Sequence, residues 1–228
     1  MIISLIALIV IYIILDVNGY NKSSYKEKTN SSYAKVKLNK GFNGEYLTHQ
    51  ILERLPGHKH LLVNTYIPKK NGETTEVDLI MIHETGIYCF ESKNYSGWIF
   101  GDERSQYWMQ SLKGGQKNRF FNPILQNEGH IKHLKELLGD TYTWAYYSVI
   151  VFSKRCELKK VKVLSTDILV VRRPFLKYHL SKLVTIREKI LTIDNVNALN
   201  TLLSGYTDVS ETVKKLHVEQ VRVRKKVI

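Results

Sequence analysis

Residues 76–94 read EVDLIMIHETGIYCFESKN, and how this stretch is read decides the fold. Two apolar runs, Glu76 to Ile82 and Gly86 to Lys93, flank the short break His83-Glu84-Thr85. Runs of this length, rich in Ile, Val and aromatics, are strands, and so short a break joins them as a hairpin. Each run carries a carboxylate that a structural strand has no use for: Asp78 in the first, Glu91 in the second, with Lys93 two residues on. Side chains alternate along a strand, so Glu91 and Lys93 share one face, and Asp78 shares its own with Ile80 and Ile82. A hairpin sets Asp78 at the same end as Glu91 and Lys93. Whether all three share a face depends on the register, which the sequence leaves open.

Two carboxylates brought within a few ångströms repel unless a cation or a proton sits between them. A hard divalent ion such as Mg²⁺ suits that geometry, because it takes oxygen ligands and keeps several waters. It would activate a water and offset charge building on a phosphoryl group. Lys93, beside Glu91, would stay charged and stabilise a phosphate rather than act as a base. The plainer reading is an ion pair at a strand end, worth about 0.2–1 kcal/mol.

Working outward toward the N-terminus, Leu47, Ile51 and Leu55 form one helical stripe between the Gly41–Gly44 start and the Pro56-Gly57 stop, with Glu45 at its margin. His60 to Pro68 reads as a strand, and Asn71-Gly72 marks the turn that follows. In the other direction Gly97 to Phe100 is a short strand, and 101–117 a polar loop anchored by Trp108. A helix after Asn122-Pro123 carries Ile124, Ile131, Leu134 and Leu138 on one face. Tyr142 to Phe152 is the most continuous apolar strand of the second half. Val161–Leu164 and Ile168–Val171 are shorter ones, 175–205 is amphipathic helix, and the closing VRVRKKV run reads as a final strand. Strands, then helices, then further strands predict a mixed-sheet α/β domain.

A chain of 228 residues with 43% hydrophobic side chains builds a real core and is not a disordered polymer. The formal charge of +13 favours polyanionic partners. Cys89 and Cys156 both lie in apolar runs and read as buried thiols; one disulfide is the alternative, and no disulfide framework is implied. His130 and His133 stand three apart on a helix face with no third metal ligand in view. Lys113 to Phe121 interleaves bases with aromatics, which fits either a nucleic-acid rim or a solvated loop around buried anchors.

Met1 to Leu15 is apolar apart from Ser4 and the hydroxyl of Tyr12. As a helix it rises about 22 Å, a marginal span, and a membrane anchor is expected over a cleaved signal peptide, a buried helix or a strand. Six lysines follow in residues 22–40 against the single acid Glu27, which by the positive-inside rule leaves the rest of the chain cytoplasmic. The same segment reads as a tether whose lysines lie on anionic headgroups.

The blocks GFNGEYL (41–47), IPKKNGETTEVDLI (67–80), GIYCFESKNYSGWIFG (86–101) and NPILQNEGHIKHL (122–134), in that order, resemble the nuclease-related domain, NERD, of the PD-(D/E)XK nuclease superfamily. That resemblance implies a restriction-endonuclease-like α/β fold with a mixed central sheet flanked by helices. It matches Asp78 to the metal-binding aspartate, Glu91 and Lys93 to the E-x-K pair, Glu45 to the acid of the first helix and Gln126 to the glutamine that orients substrate. Val77 stands where the superfamily's nominal proline would be. The activity so implied is Mg²⁺- or Mn²⁺-dependent phosphodiester hydrolysis of nucleic acid, DNA foremost, with Asp78, Glu91 and Glu45 on the metal. Lys113, Lys117, Arg119 and Trp108 would then form the nucleic-acid rim. The alternative is a non-catalytic module on the same fold that binds nucleic acid or a membrane surface. The expected layout is an anchor at 1–20, a basic linker at 21–37, the nuclease core at 38–152 and a basic-tailed α/β extension at 153–228. The whole would sit as a single-pass protein at the cell membrane, its domain facing the cytoplasm.

Overall fold

The computed structural model describes the backbone of residues 2–142 and 145–227, and their side chains apart from those of 2–4 and 224–227. Met1 of the expected anchor, and Thr143 and Trp144 of the expected strand from Tyr142, lie outside the described residues.

A five-stranded mixed sheet carries the fold, in the order β1 (Lys59–Pro68), β2 (Thr74–His83), β3 (Gly86–Lys93), β7 (Tyr146–Phe152), β9 (Ile168–Arg172). The first three strands are antiparallel neighbours, while β3, β7 and β9 run parallel. Helices cover both faces, as apolar parallel strands require. On one face Leu79, Met81, Tyr88 and Phe90 meet Leu52 of α4 (Lys40–Glu53) and Leu176 and Leu180 of α6 (Arg173–Ile186). On the other, Ile80, Ile82, Ile87 and Cys89 meet Ile131 and Leu134 of α5 (Pro123–Leu138) and Val196 and Leu199 of α7 (Ile193–Ser204). This is the expected restriction-endonuclease-like α/β arrangement. Cys89 and Cys156 are both buried and unpaired.

A second sheet runs β6 (Lys117–Phe121), β5 (Tyr107–Ser111), β4 (Gly97–Asp102), β8 (Cys156–Lys162). The expected polar loop at 101–117 thus contains the middle strand and both turns of a three-stranded meander. Trp108 holds it to the main sheet by stacking flat on Phe152, centroids 6.1 Å apart.

The N-terminal expectations change most. The segment read as a tether forms two short capped helices, α2 (Ser24–Thr29) and α3 (Tyr33–Leu38), with Ser23 and Ser32 as N-caps. Tyr25 and Val36 join Tyr20 and Tyr46 in the core. The first helix, α1 (Ile2–Asn21), is therefore docked by its last turns: Tyr20 is fully buried, and Asp16 meets Lys37 at 2.6 Å and the Tyr33 hydroxyl at 2.7 Å. Leu5 to Leu15 are exposed along the rest of the helix. Among the described residues no helix is long and apolar enough to cross a membrane. The expected membrane anchor, the membrane as partner and the single-pass placement at the cell membrane are corrected accordingly. The closing segment, expected as a strand, is the helix α8 (Glu211–Val227). Its valine alternation is brief, and Glu, Lys, Leu, Gln and Arg around it are strong helix formers.

Candidate functional site

The β2–β3 ladder ends at the pair Leu79–Phe90. One step further, Asp78 and Glu91 stand opposite each other where the ladder pairing has stopped. On β1, Asn64 takes a left-handed φ of 51° between the paired residues Val63 and Thr65, level with Asp78. A left-handed conformation is rare outside glycine and is best tolerated by Asn or Asp. At this break the Asp78 carboxylate, instead of a backbone carbonyl, accepts a hydrogen bond from the Ser92 N–H, at 2.9 Å to Oδ2.

Helix α5 closes the other side. Asn122 caps it: its Oδ1 accepts from the Ile124 N–H while its Nδ2 donates to the Glu103 and Ser105 carbonyls, and Pro123 sits in the first turn. Asn127 ties the helix to the sheet by donating to the Cys89 carbonyl and the Ser148 hydroxyl, each at 2.9 Å. The face so fixed carries Gln126 and, one turn on, His130.

These elements converge on Glu91. Lys93 Nζ donates to Oε1 at 2.7 Å, Gln126 Nε2 donates to Oε2 at 2.8 Å, and His130 Nε2 lies 3.4 Å from Oε2. Lys93 also donates to Gln126 Oε1 at 2.9 Å, which closes a ring of three side chains. His130 shares its Nδ1 with the Thr75 hydroxyl at 2.7 Å. Glu45, on α4, enters from the opposite face of the sheet and accepts from the buried Tyr25 hydroxyl at 3.4 Å. Parity alone placed Glu91 and Lys93 together. His130 and Tyr25 were missed: the i, i+4 spacing of Gln126 and His130 was a usable signal for the first, while nothing in the apparent linker pointed to the second.

The charges divide. Burial opposes ionisation of Glu91, but the pull of Lys93 and the contacts with His130 and Lys93 outweigh it and hold the carboxyl below its usual range. Burial would likewise strip Lys93 of its proton; Glu91 reverses this and raises the ammonium above its ordinary value. Asp78 is pushed well above the carboxylate range by burial and by the charges of Glu91 and Glu45, against the Ser92 N–H and Lys93. Burial, with the charge of Glu76, raises Glu45 to about 7. The cluster is thus an ion pair flanked by two acids whose neutral forms are more favoured than those of ordinary carboxyls.

Both oxygens of Glu91 are engaged by nitrogen donors, and Glu45 accepts from Tyr25. Among the described residues no group of three His, Cys, Asp or Glu side chains gathers as metal ligands. The expectation of a membrane-tethered, metal-dependent hydrolase is corrected on this ground.

The expected rim lies elsewhere. Lys113, Lys117 and Arg119 are exposed on the second sheet and its turn, with the Arg119 guanidinium 3.9 Å over the Tyr107 ring. Trp108, only 1% exposed, is a core anchor between the sheets and offers no face to a ligand.

The fold and the cluster define a nuclease-related α/β protein. The family model described as nuclease-related domain (NERD) matches residues 40–153, half of the chain, and the chain belongs to that family. It is 37% identical over 129 residues to an uncharacterized protein of Bacillus anthracis, pXO1-01, a match covering 56% of this chain and 59% of that one. The chain thus spans about three-fifths of the length of this relative. The crystal structure of protein VC1899 from Vibrio cholerae is similar over 63% of this chain and 34% of its own, at 16% identity and a TM-score of 0.35.

Proposed function

We propose that this nuclease-related domain is a nucleic-acid-binding module in which the inherited acidic cluster is neutralised from within. The observation that carries this reading is the closed ring Glu91–Lys93–Gln126, with His130 behind it. Bare carboxylates would repel a phosphate backbone. Here Lys93 and Gln126 are partly exposed over the buried Glu91, whose charge Lys93 compensates, with Asp78 partly exposed beside them. The chain's charge of +13 supplies the long-range attraction. Mg²⁺ or Mn²⁺ would reach Glu91 only by displacing Lys93 and Gln126 from its oxygens.

Anisotropy of labelled DNA and RNA, read across a salt series with Mg²⁺, with Mn²⁺ and with chelator, tests this. Salt-sensitive binding without strand cleavage is expected, and Asp78→Ala should leave the affinity unchanged or raise it. Absence of binding at low salt, or ion-dependent cleavage that Asp78→Ala abolishes, overturns the reading.

A further inference from the structure

Three residues beyond Lys93 the chain enters a groove of about 720 Å³, lined by Ser96, Trp98, Lys113, Gly114, Arg155 and Glu157 among others. A volume of this size is in the range of pockets that hold a small organic group. Trp98 is 51% exposed, in contrast to the buried Trp108 ten residues on. It pairs with Ser111 in the β4–β5 ladder, so its backbone is held while its indole is open. Lys159 places its ammonium 5.1 Å from the ring centroid and also pairs with Glu157 at 2.8 Å, which leaves the acid in the groove compensated. Arg155 donates from Nη2 to the carbonyl and the side-chain oxygen of Asn94, at 2.8 and 3.0 Å, so its guanidinium is held at the groove wall. Close by, the buried Arg173 donates from Nε to Thr48 Oγ1 at 3.3 Å, while its Nη2 has no hydrogen-bond partner among the described residues. Both arginines thus flank Asn94, the neighbour of Lys93: a Cβ added to Gly44 would lie 3.1 Å from Arg173 Nη2 and 3.9 Å from Asn94 Cβ.

We propose that this groove takes a single-stranded nucleic acid, one unstacked base lying on the indole of Trp98 and the adjoining phosphates on Arg155 and Lys113. The assignment deepens the nucleic-acid reading above and rests on it. An open indole selects single strands because a duplex hides its base faces in its own stack, whereas every unstacked base presents a π-face. Cations on both sides, with the one acid paired, complement a phosphate backbone. The strand direction leads from this groove along Asn94 toward Lys93.

The test uses the full chain, with a labelled oligothymidylate and a hairpin duplex of equal charge, in fluorescence anisotropy at fixed salt. Trp98→Ala should weaken oligothymidylate binding roughly five- to hundredfold and leave duplex binding within about twofold, and Trp98→Phe should restore part of the loss. Arg155→Gln should lower the salt slope for the single strand by about one. Circular dichroism of each variant checks that the fold is retained. If the unmodified chain binds neither probe, the nucleic-acid reading itself fails. If it binds both and Trp98→Ala changes neither or both alike, the groove assignment fails and the broader reading stands.

Discussion

Glu45 shows how one carboxyl can report on the whole cluster. Its carboxyl is raised to about 7 by burial first and by Glu76 second. An ordinary glutamate in the unfolded chain ionises near 4.3. Between those values the folded state holds a proton that the unfolded chain has released, so stability falls as pH rises across that window and levels off above it. The loss amounts to as much as about 3 kcal/mol. His49, buried one turn on in the same helix and pushed down to about 4 by burial, acts in the opposite sense: stability is lost as pH falls below about 6.5. The two effects separate in a difference curve. Urea unfolding of the unmodified chain and of Glu45→Gln, from about pH 5 to about pH 8, should show the unmodified chain losing up to about 3 kcal/mol relative to the variant. A flat difference would mean that Glu45 ionises as an ordinary surface acid.

At the level of elements, the second sheet depends on one close approach. The Trp108 ring lies flat against Gly101 of the neighbouring strand, where an added Cβ would fall 2.1 Å from the indole. Trp108 is also fixed by its Nε1, which donates to the Asp102 carbonyl at 3.0 Å, so the ring has little room to yield. Gly101→Ala should therefore destabilise the fold by about 1–3 kcal/mol, as overpacked cores do. Urea unfolding followed by near-ultraviolet circular dichroism measures it; an unchanged midpoint would show that the Trp108 ring yields to the added methyl. The same packing explains why the 101–117 stretch was read as loop. Its one whole strand, β5, is only five residues long, and its apolar side is supplied by Trp108, which stacks on Phe152 of the other sheet and meets Phe120 edge-on.

Across the whole molecule the basic excess is unevenly spent. Helix α8 crosses β2, where His217 lies 3.7 Å from Glu76, and carries Lys214, Lys215 and Arg222 along its length. Among the described residues none of these three cations lies over an aromatic ring, so their attraction for a polyanion is independent of strandedness. Replacing all three with Gln should weaken single-strand and duplex binding alike and reduce the salt slope by about two to three. Salt-titrated anisotropy decides the matter: a loss confined to the single strand would place α8 in the groove's own recognition.

The sequence by itself determined the α/β class, the family and the faces of the individual strands, because period-two alternation and turn chemistry are local. It put Glu91 and Lys93 on one face of β3, and it read the helix bearing Gln126 from its Asn122-Pro123 start. What tertiary structure alone decided was which neighbours those side chains would find. Register set Asp78 opposite Glu91, α5 brought His130 behind it, and docking of α2 brought Tyr25 onto Glu45. The direction in which each carboxyl of the cluster is pushed follows from that company and not from residue identity. The N-terminal segment shows the same rule. Hydropathy measures how apolar a run is, but only packing revealed that Asp16 and Tyr20 belong to the domain, and among the described residues no helix is long and apolar enough to cross a membrane.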